Sequence, residues 1–114
     1  NAKLFYDIFS KSNYVDIQKE NHCSSWFGFS MILKGHLKNK RDYVLRCLKE
    51  HRIETRPIIS GNFLKYPVTK FMDYSVYGDT KNSKEIDKNG FFIGNNHISL
   101  AREIYYFKDT MDSL

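Results

Sequence analysis

SWFGFSMILK, residues 25–34, decides the fold. Phe27, Phe29, Met31 and Leu33 alternate on one side, with Trp26, Gly28, Ser30 and Ile32 on the other. A period of two with this much apolar bulk predicts a strand buried on at least one face. Two more extended segments follow. IETRPIIS, residues 53–60, holds Pro57, which keeps Arg56 out of helical backbone, and Gly61 ends the run. GFFIG, residues 90–94, reads as a third strand.

Helical patterns fill the intervals. Asn39 is placed to cap a helix whose first turn carries Asp42 and whose inner face is Val44, Cys47, Leu48 and His51. Residues 62–72 leave room for a short helical turn around Pro67, and residues 73–81 read as a polar loop. Asn82 and Glu85 have capping-box spacing, with Gly90 suited to the helix end. Ser99 can cap a last helix with Leu100, Ile104, Phe107 and Met111 on one face. Upstream, Leu4, Phe5, Ile8 and Phe9 form a helical stripe, and residues 11–25 read as a loop with a short extended run at 14–17. The expected fold class is α/β (α+β): a small sandwich of a mostly antiparallel three-stranded sheet with helices on one face.

The composition bounds what such a domain can be. At 114 residues the chain is one domain, 1–114, with 1–20 expected to be the end of a connecting helix plus loop. Hydrophobic residues at 41% and aromatics at 16% exclude a disordered chain. Cys23 and Cys47 are far apart and lack CxxC spacing, so neither a disulfide framework nor a zinc site is expected, and a reducing cytoplasm fits. No apolar run reaches the roughly 18 residues of a membrane span, and no secretion signal opens the chain. The sequence begins at Asn1 rather than Met and is expected to be a trimmed or severed piece. Residues 34–52 hold seven cations against two anions, which accounts for the whole net charge of +5. That segment reads as the solvated face of a helix or as an anion-attracting patch.

Three stretches combine an apolar strand with polar residues at its end: SWFGFSMIL, ETRPIISGN and NGFFIGNNHISL. Strand ends are where scaffolds present sites. In order and spacing the three resemble the C-terminal small domain of the DegT/DnrJ/EryC1/StrS family of pyridoxal-phosphate-dependent sugar aminotransferases and dehydratases. The closest branch is that of the nucleotide-sugar 3-dehydratases, with a TRPIxxGN segment and a late FFIGNHH-like segment. The resemblance covers the chain from about residue 25 to its end. GNNH departs from the pattern, with Asn96 where a histidine is expected.

The resemblance implies a fold type I small domain from a larger enzyme of lipopolysaccharide or other surface-glycan synthesis. It also implies a missing N-terminal domain that carries the catalytic Lys or His and holds pyridoxal phosphate or pyridoxamine phosphate. No catalytic residue and no bound cofactor are then expected in this chain. Its share would be one wall of a cleft for a nucleotide-linked 4-keto-6-deoxy sugar, in a parent that forms a homodimer. In the dehydratase branch the aminated cofactor condenses with the 4-keto group and the C3 hydroxyl leaves; in the aminotransferase branch the ketone receives an amine.

The substrate-binding candidates are Arg56, Asn62, Asn95 and His97. Arg56 offers a guanidinium for a phosphate or sugar oxygen, or else a surface ion pair. Asn62 after Gly61 can set an amide beside a sugar hydroxyl, or cap a turn. His97 can hydrogen-bond a sugar oxygen or move a proton, or simply bond backbone at a helix entry. Asn95 and Asn96 can serve substrate or turn. Trp26 and Phe27 read as core or domain-interface residues.

Two other functions compete. A free-standing nucleic-acid module would use residues 34–52, yet no RNP, KH or zinc-finger pattern is present and the aromatics follow apolar stripes. An interaction domain without a catalytic half would share the fold. A domain cut from its partner should also expose apolar surface, with Leu4, Phe5 and Phe9 as candidates.

Overall fold

In a computed structural model covering residues 1–114, the decisive stretch forms a central strand, β2, over Gly28–Leu33. The other elements are α1 (Ala2–Phe9), β1 (Val15–Ile17), α2 (Arg41–Glu50), β3 (Thr55–Arg56), α3 (Lys81–Asn89), β4 (Gly90–Gly94) and α4 (Ala101–Asp112). Short 3-10 turns lie at Gly35–Leu37, Phe63–Lys65 and Pro67–Phe71. The sheet is antiparallel throughout, in the order β1-β2-β4-β3. It has four strands, because the extended run at 14–17 pairs with β2 from Val15↔Leu33 to Ile17↔Met31.

Side-chain alternation divides the sheet into two faces. Phe29, Met31, Leu33, Phe91 and Ile93 enter the core with Val44 and Leu48 from α2 and Ile104, Phe107 and Met111 from α4. Phe5 of α1 stacks on Phe29 with ring centroids 4.4 Å apart. Phe5 and Phe9 are fully buried and Leu4 is half-buried, so the expected exposed stripe at these residues is corrected. The outer helix closes its own sheet, and each buried Phe contributes about 2 kcal/mol. The opposite face carries Gly28, Ser30, Ile32, Gly90, Phe92 and Gly94, paired as Gly28↔Gly94, Ser30↔Phe92 and Ile32↔Gly90. Only α3 and the 57–62 loop cover part of it. A Cβ at Gly90 would lie 2.4 Å from the Ile86 carbonyl oxygen and 2.9 Å from Ile58.

Local expectations fail where a distant residue supplies the partner. The alternation does not extend above Gly28: Trp26 turns into the core and Phe27 is 80% exposed. Asn39 does not cap α2; it adopts φ 64° and its N–H donates to Asn89 Oδ1 at 2.7 Å, while Lys40 holds the cap position. Asn82 and Glu85 lie inside α3, whose N-cap is Thr80. Gly90 is extended rather than left-handed, and its need for a hydrogen side chain is steric. Ser99 does not cap α4: Leu100 holds that position, and its N–H donates to Asn1 Oδ1 at 2.9 Å. His51 is exposed, with Nδ1 2.9 Å from the Cys47 carbonyl oxygen, and Cys47 is half-buried.

Candidate functional site

Gly28 shapes the uncovered face. A Cβ there would stand 2.7 Å from the Phe92 ring and 2.8 Å from the Ile93 carbonyl oxygen, so only glycine lets Phe92 lie over the strand. Phe27 then leans on Phe92, with centroids 5.9 Å apart and planes at 51°. This aromatic pair divides two cavities. One, of about 340 Å³, runs past Ser25, Gly28, Ser30 and Ile59. The other, of about 230 Å³, is bounded by Glu54, Arg56, Gly94 and Asn95. Both share Phe27 and Phe92.

The structure thus brings two of the four candidates together. Arg56 is paired with Phe92 in register and is exposed at the cavity rim. Its Nη2 donates to Glu54 Oε1 at 2.9 Å. The two side chains are largely in solvent, so the pair is weak and the guanidinium is free to take a stronger anion. Asn95 is held from several sides. Its Nδ2 donates to the Trp26 carbonyl at 2.7 Å, and its Oδ1 accepts from Asn1 Nδ2 at 3.1 Å and from the Asn96 N–H at 2.9 Å. Those bonds fix the loop after β4 against the segment before β2, and so fix the cavity rim.

Asn62 and His97 lie elsewhere. Asn62 is buried, and its backbone N–H donates to Asp87. Gly61, at φ 30°, permits that approach, because a Cβ would sit 2.7 Å from Asp87 Oδ1. The Lys65 ammonium also pairs with Asp87 and is the largest cause holding its carboxyl below the usual range. His97 is exposed; its N–H donates to Asn96 Oδ1 at 2.7 Å, and it lines neither cavity of the sheet face. The aromatic pair was not legible as a wall. Phe92 alternates correctly in GFFIG, but its contact with Phe27 depends on the register of Gly28 against Gly94.

A larger cavity, about 540 Å³, lies between α1 and the 19–21 segment and contains none of the four candidates. Glu20 closes one side of it. The Ser24 hydroxyl and the Trp26 indole N–H each donate to Glu20 Oε2 at 2.6 Å, and with the His22 N–H they hold its carboxyl below the usual range.

The sheet-face residues do not fit a pyridoxal phosphate site by themselves. Neither cavity holds a lysine, and Arg56 is the one cation beside them. They form a wall that is apolar in the middle and cationic at the edge. No group of His, Cys, Asp and Glu side chains is arranged to hold a metal ion. No helix is long and apolar enough to cross a membrane.

No family model matches the chain. Individual proteins do. The chain is 46% identical over 105 residues to a GDP-4-keto-6-deoxy-D-mannose 3-dehydratase of Yersinia pseudotuberculosis, covering 91% of this chain and 27% of that protein. Over 70 residues it is 34% identical to the lipopolysaccharide biosynthesis protein RfbH of Salmonella typhimurium, covering 61% of this chain and 16% of that protein. The solved E. coli GDP-4-keto-6-deoxy-D-mannose-3-dehydratase with bound hydrated PLP superposes with a TM-score of 0.91 at 43% identity, covering 96% of this chain and 28% of that one. The chain therefore spans between a quarter and a third of the length of the dehydratases it matches. Over that length it is a homologue of part of the DegT/DnrJ-type sugar 3-dehydratases.

Proposed function

We propose that this segment of a DegT/DnrJ-type dehydratase is the C-terminal small domain of an enzyme that removes the C3 hydroxyl of a GDP-linked 4-keto-6-deoxy sugar. The observation that carries the reading is the sheet face itself, where Phe27 and Phe92 make an apolar wall and Arg56 stands at its rim. The fold match to a dehydratase solved with PLP supports it. Pyridoxamine phosphate, bound mainly by the rest of the polypeptide, supplies the amine for the 4-keto carbon and the electron sink for loss of the hydroxyl.

This chain contributes binding and exclusion of water. Arg56 offers two parallel N–H groups, a geometry suited to a diphosphate or sugar oxygen, and exchanges its weak partner Glu54 for it. Phe27 and Phe92 cover the apolar face of the sugar and keep solvent from the reacting carbons. Asn95 holds the rim in place through its bonds to Trp26 and Asn1. Asn62 lies apart from the two cavities, buried where Gly61 packs against Asp87 of α3, and serves the wall only indirectly by holding the 57–62 loop. His97 lies on the loop after β4, at the outer margin of the face. The parent works as a homodimer in the cytoplasm, a placement that suits two free cysteines, and its product feeds surface-glycan assembly. A stand-alone nucleic-acid module is not favoured, because residues 34–52, which would serve it, fall within the stretch similar to the sugar 3-dehydratases.

The test uses the intact polypeptide with pyridoxamine phosphate and GDP-4-keto-6-deoxymannose. Mass spectrometry of the sugar nucleotide should show loss of the C3 oxygen. Arg56→Ala should raise KM about tenfold or more, with a smaller effect on kcat. An unchanged sugar nucleotide would overturn the reading, and a product aminated at C4 would replace it with an aminotransferase.

A further inference from the structure

The surplus positive charge of residues 34–52 has no place in the sugar cleft. The fold neutralises part of it. Lys34 pairs with Asp16 at 2.7 Å and Lys38 with Glu85 at 3.3 Å, while Arg41 donates to the Asp87 carbonyl at 2.7 Å. Arg46, Lys49 and Arg52 meet no carboxylate. Arg46 and Lys49, three apart on α2, share one exposed face. Both line a cavity of about 470 Å³ between α2 and β3, together with Leu45 and Ile53. Glu54 is the one carboxylate there, and Arg56 already holds it through Nε at 3.2 Å and Nη2 at 2.9 Å. The trough is left cationic over an apolar floor.

Its far wall is a free strand edge. The Ser30 carbonyl accepts the Gln18 N–H at 3.2 Å, so Ser30 bonds toward β1 and its neighbours Phe29 and Met31 bond toward β4. Their partners Ile93 and Phe91 are then used on the β2 side, which leaves Phe92 to bond Arg56 of β3. By the same alternation the N–H and C=O of Thr55 point away from the sheet. Thr55 lines the trough.

We propose that this trough is a docking site for an extended acidic peptide segment of a partner protein. The segment adds to the edge of β3 through the Thr55 backbone and sets its carboxylates against Arg46 and Lys49. A free strand edge beside two unpaired cations matches a peptide better than a compact anion, which would use the cations and leave the edge bare. Arg46 and Lys49 line neither cavity of the sheet face, so the peptide readout at these two residues is distinct from the substrate readout at Arg56, although Glu54 borders both the trough and the smaller cavity.

The probe is a fluorescein-labelled hexapeptide of alternating glutamate and valine, read by anisotropy at low salt. Its glutamine counterpart and a ten-nucleotide oligothymidylate serve as comparisons. The acidic peptide should bind about tenfold or more tighter than the glutamine version, and Arg46→Glu with Lys49→Glu should abolish that difference. Both side chains are exposed, so the fold should survive the reversal. Hydrogen exchange at the Thr55 amide should slow with peptide bound. Equal binding of the two peptides, no binding, or preferential binding of the oligonucleotide with no change at Thr55 would overturn the proposal.

Discussion

Asn1 closes the open end of the last helix: its Oδ1 accepts the Leu100 N–H at 2.9 Å. Its Nδ2 donates to the carbonyls of Asn96 at 2.9 Å and Ile98 at 2.7 Å. One amide thus ties α1 to the loop that carries Asn95 and His97. Asn1→Ala should lower stability by about 1 kcal/mol, within the usual range for a lost cap, read as a shift in the urea midpoint. Asn1→Asp should not recover the loss, since its second carboxylate oxygen would face the Asn96 and Ile98 carbonyls that now accept from Nδ2.

Gly28 and Gly94 face each other in register but differ in what surrounds them. A methyl at Gly28 meets the Phe92 ring and a backbone oxygen below 3.0 Å, whereas a methyl at Gly94 meets nothing within 4 Å. Gly28→Ala should cost about 1–3 kcal/mol and displace Phe92, while Gly94→Ala should stay within about 1 kcal/mol. Thermal denaturation of the two variants separates them. Equal losses would show that the Phe92 ring is not what requires the glycine.

Asp87 and Asp112 give the stability a directed pH dependence. Lys65, the Asn62 N–H and Arg41 hold the Asp87 carboxyl below its usual range; Lys108 and the Tyr14 hydroxyl, which donates to Oδ1 at 2.6 Å, do the same for Asp112. A carboxyl depressed in the native state binds fewer protons there than in the unfolded chain. Its contribution is complete above the unfolded value of about 4 and disappears as pH falls through the native one. Urea midpoints should therefore drop between about pH 5 and about pH 2, and Asp87→Asn should flatten part of that slope. A slope unchanged in Asp87→Asn would place the effect elsewhere.

The elements governed by short-range period were legible. The alternation in β2, the FFI core of β4 and the stripe Ile104, Phe107, Met111 all follow from spacing and recur in the structure. The caps were not: the Asn39 N–H finds its partner in Asn89 and the Leu100 N–H in Asn1, both across the fold, while α3 simply starts earlier than Asn82, at Thr80, with no side-chain cap bond. The site divides the same way. Arg56 at a strand and Asn95 past a strand end could be read from motif and placement. That Arg56 shares its cavity with Phe27 and Phe92 required the register that pairs Gly28 with Gly94.

The apolar surface lies away from the residues first expected to form it. Phe27 is 80% exposed, Ile59 82% and Phe71 88%, and Tyr77 is fully exposed. Three of these sit in the 59–77 segment, where the only regular structure is two 3-10 turns. Water around so many large side chains favours any contact that covers them. The isolated chain should therefore bind an apolar dye and self-associate as its concentration rises. Phe71→Ser combined with Tyr77→Ser should reduce both without lowering the melting temperature by more than about 2 °C, because neither side chain touches the core. Light scattering that finds a monomer at every concentration, with no dye signal, would mean that the segment folds back on itself and hides this surface.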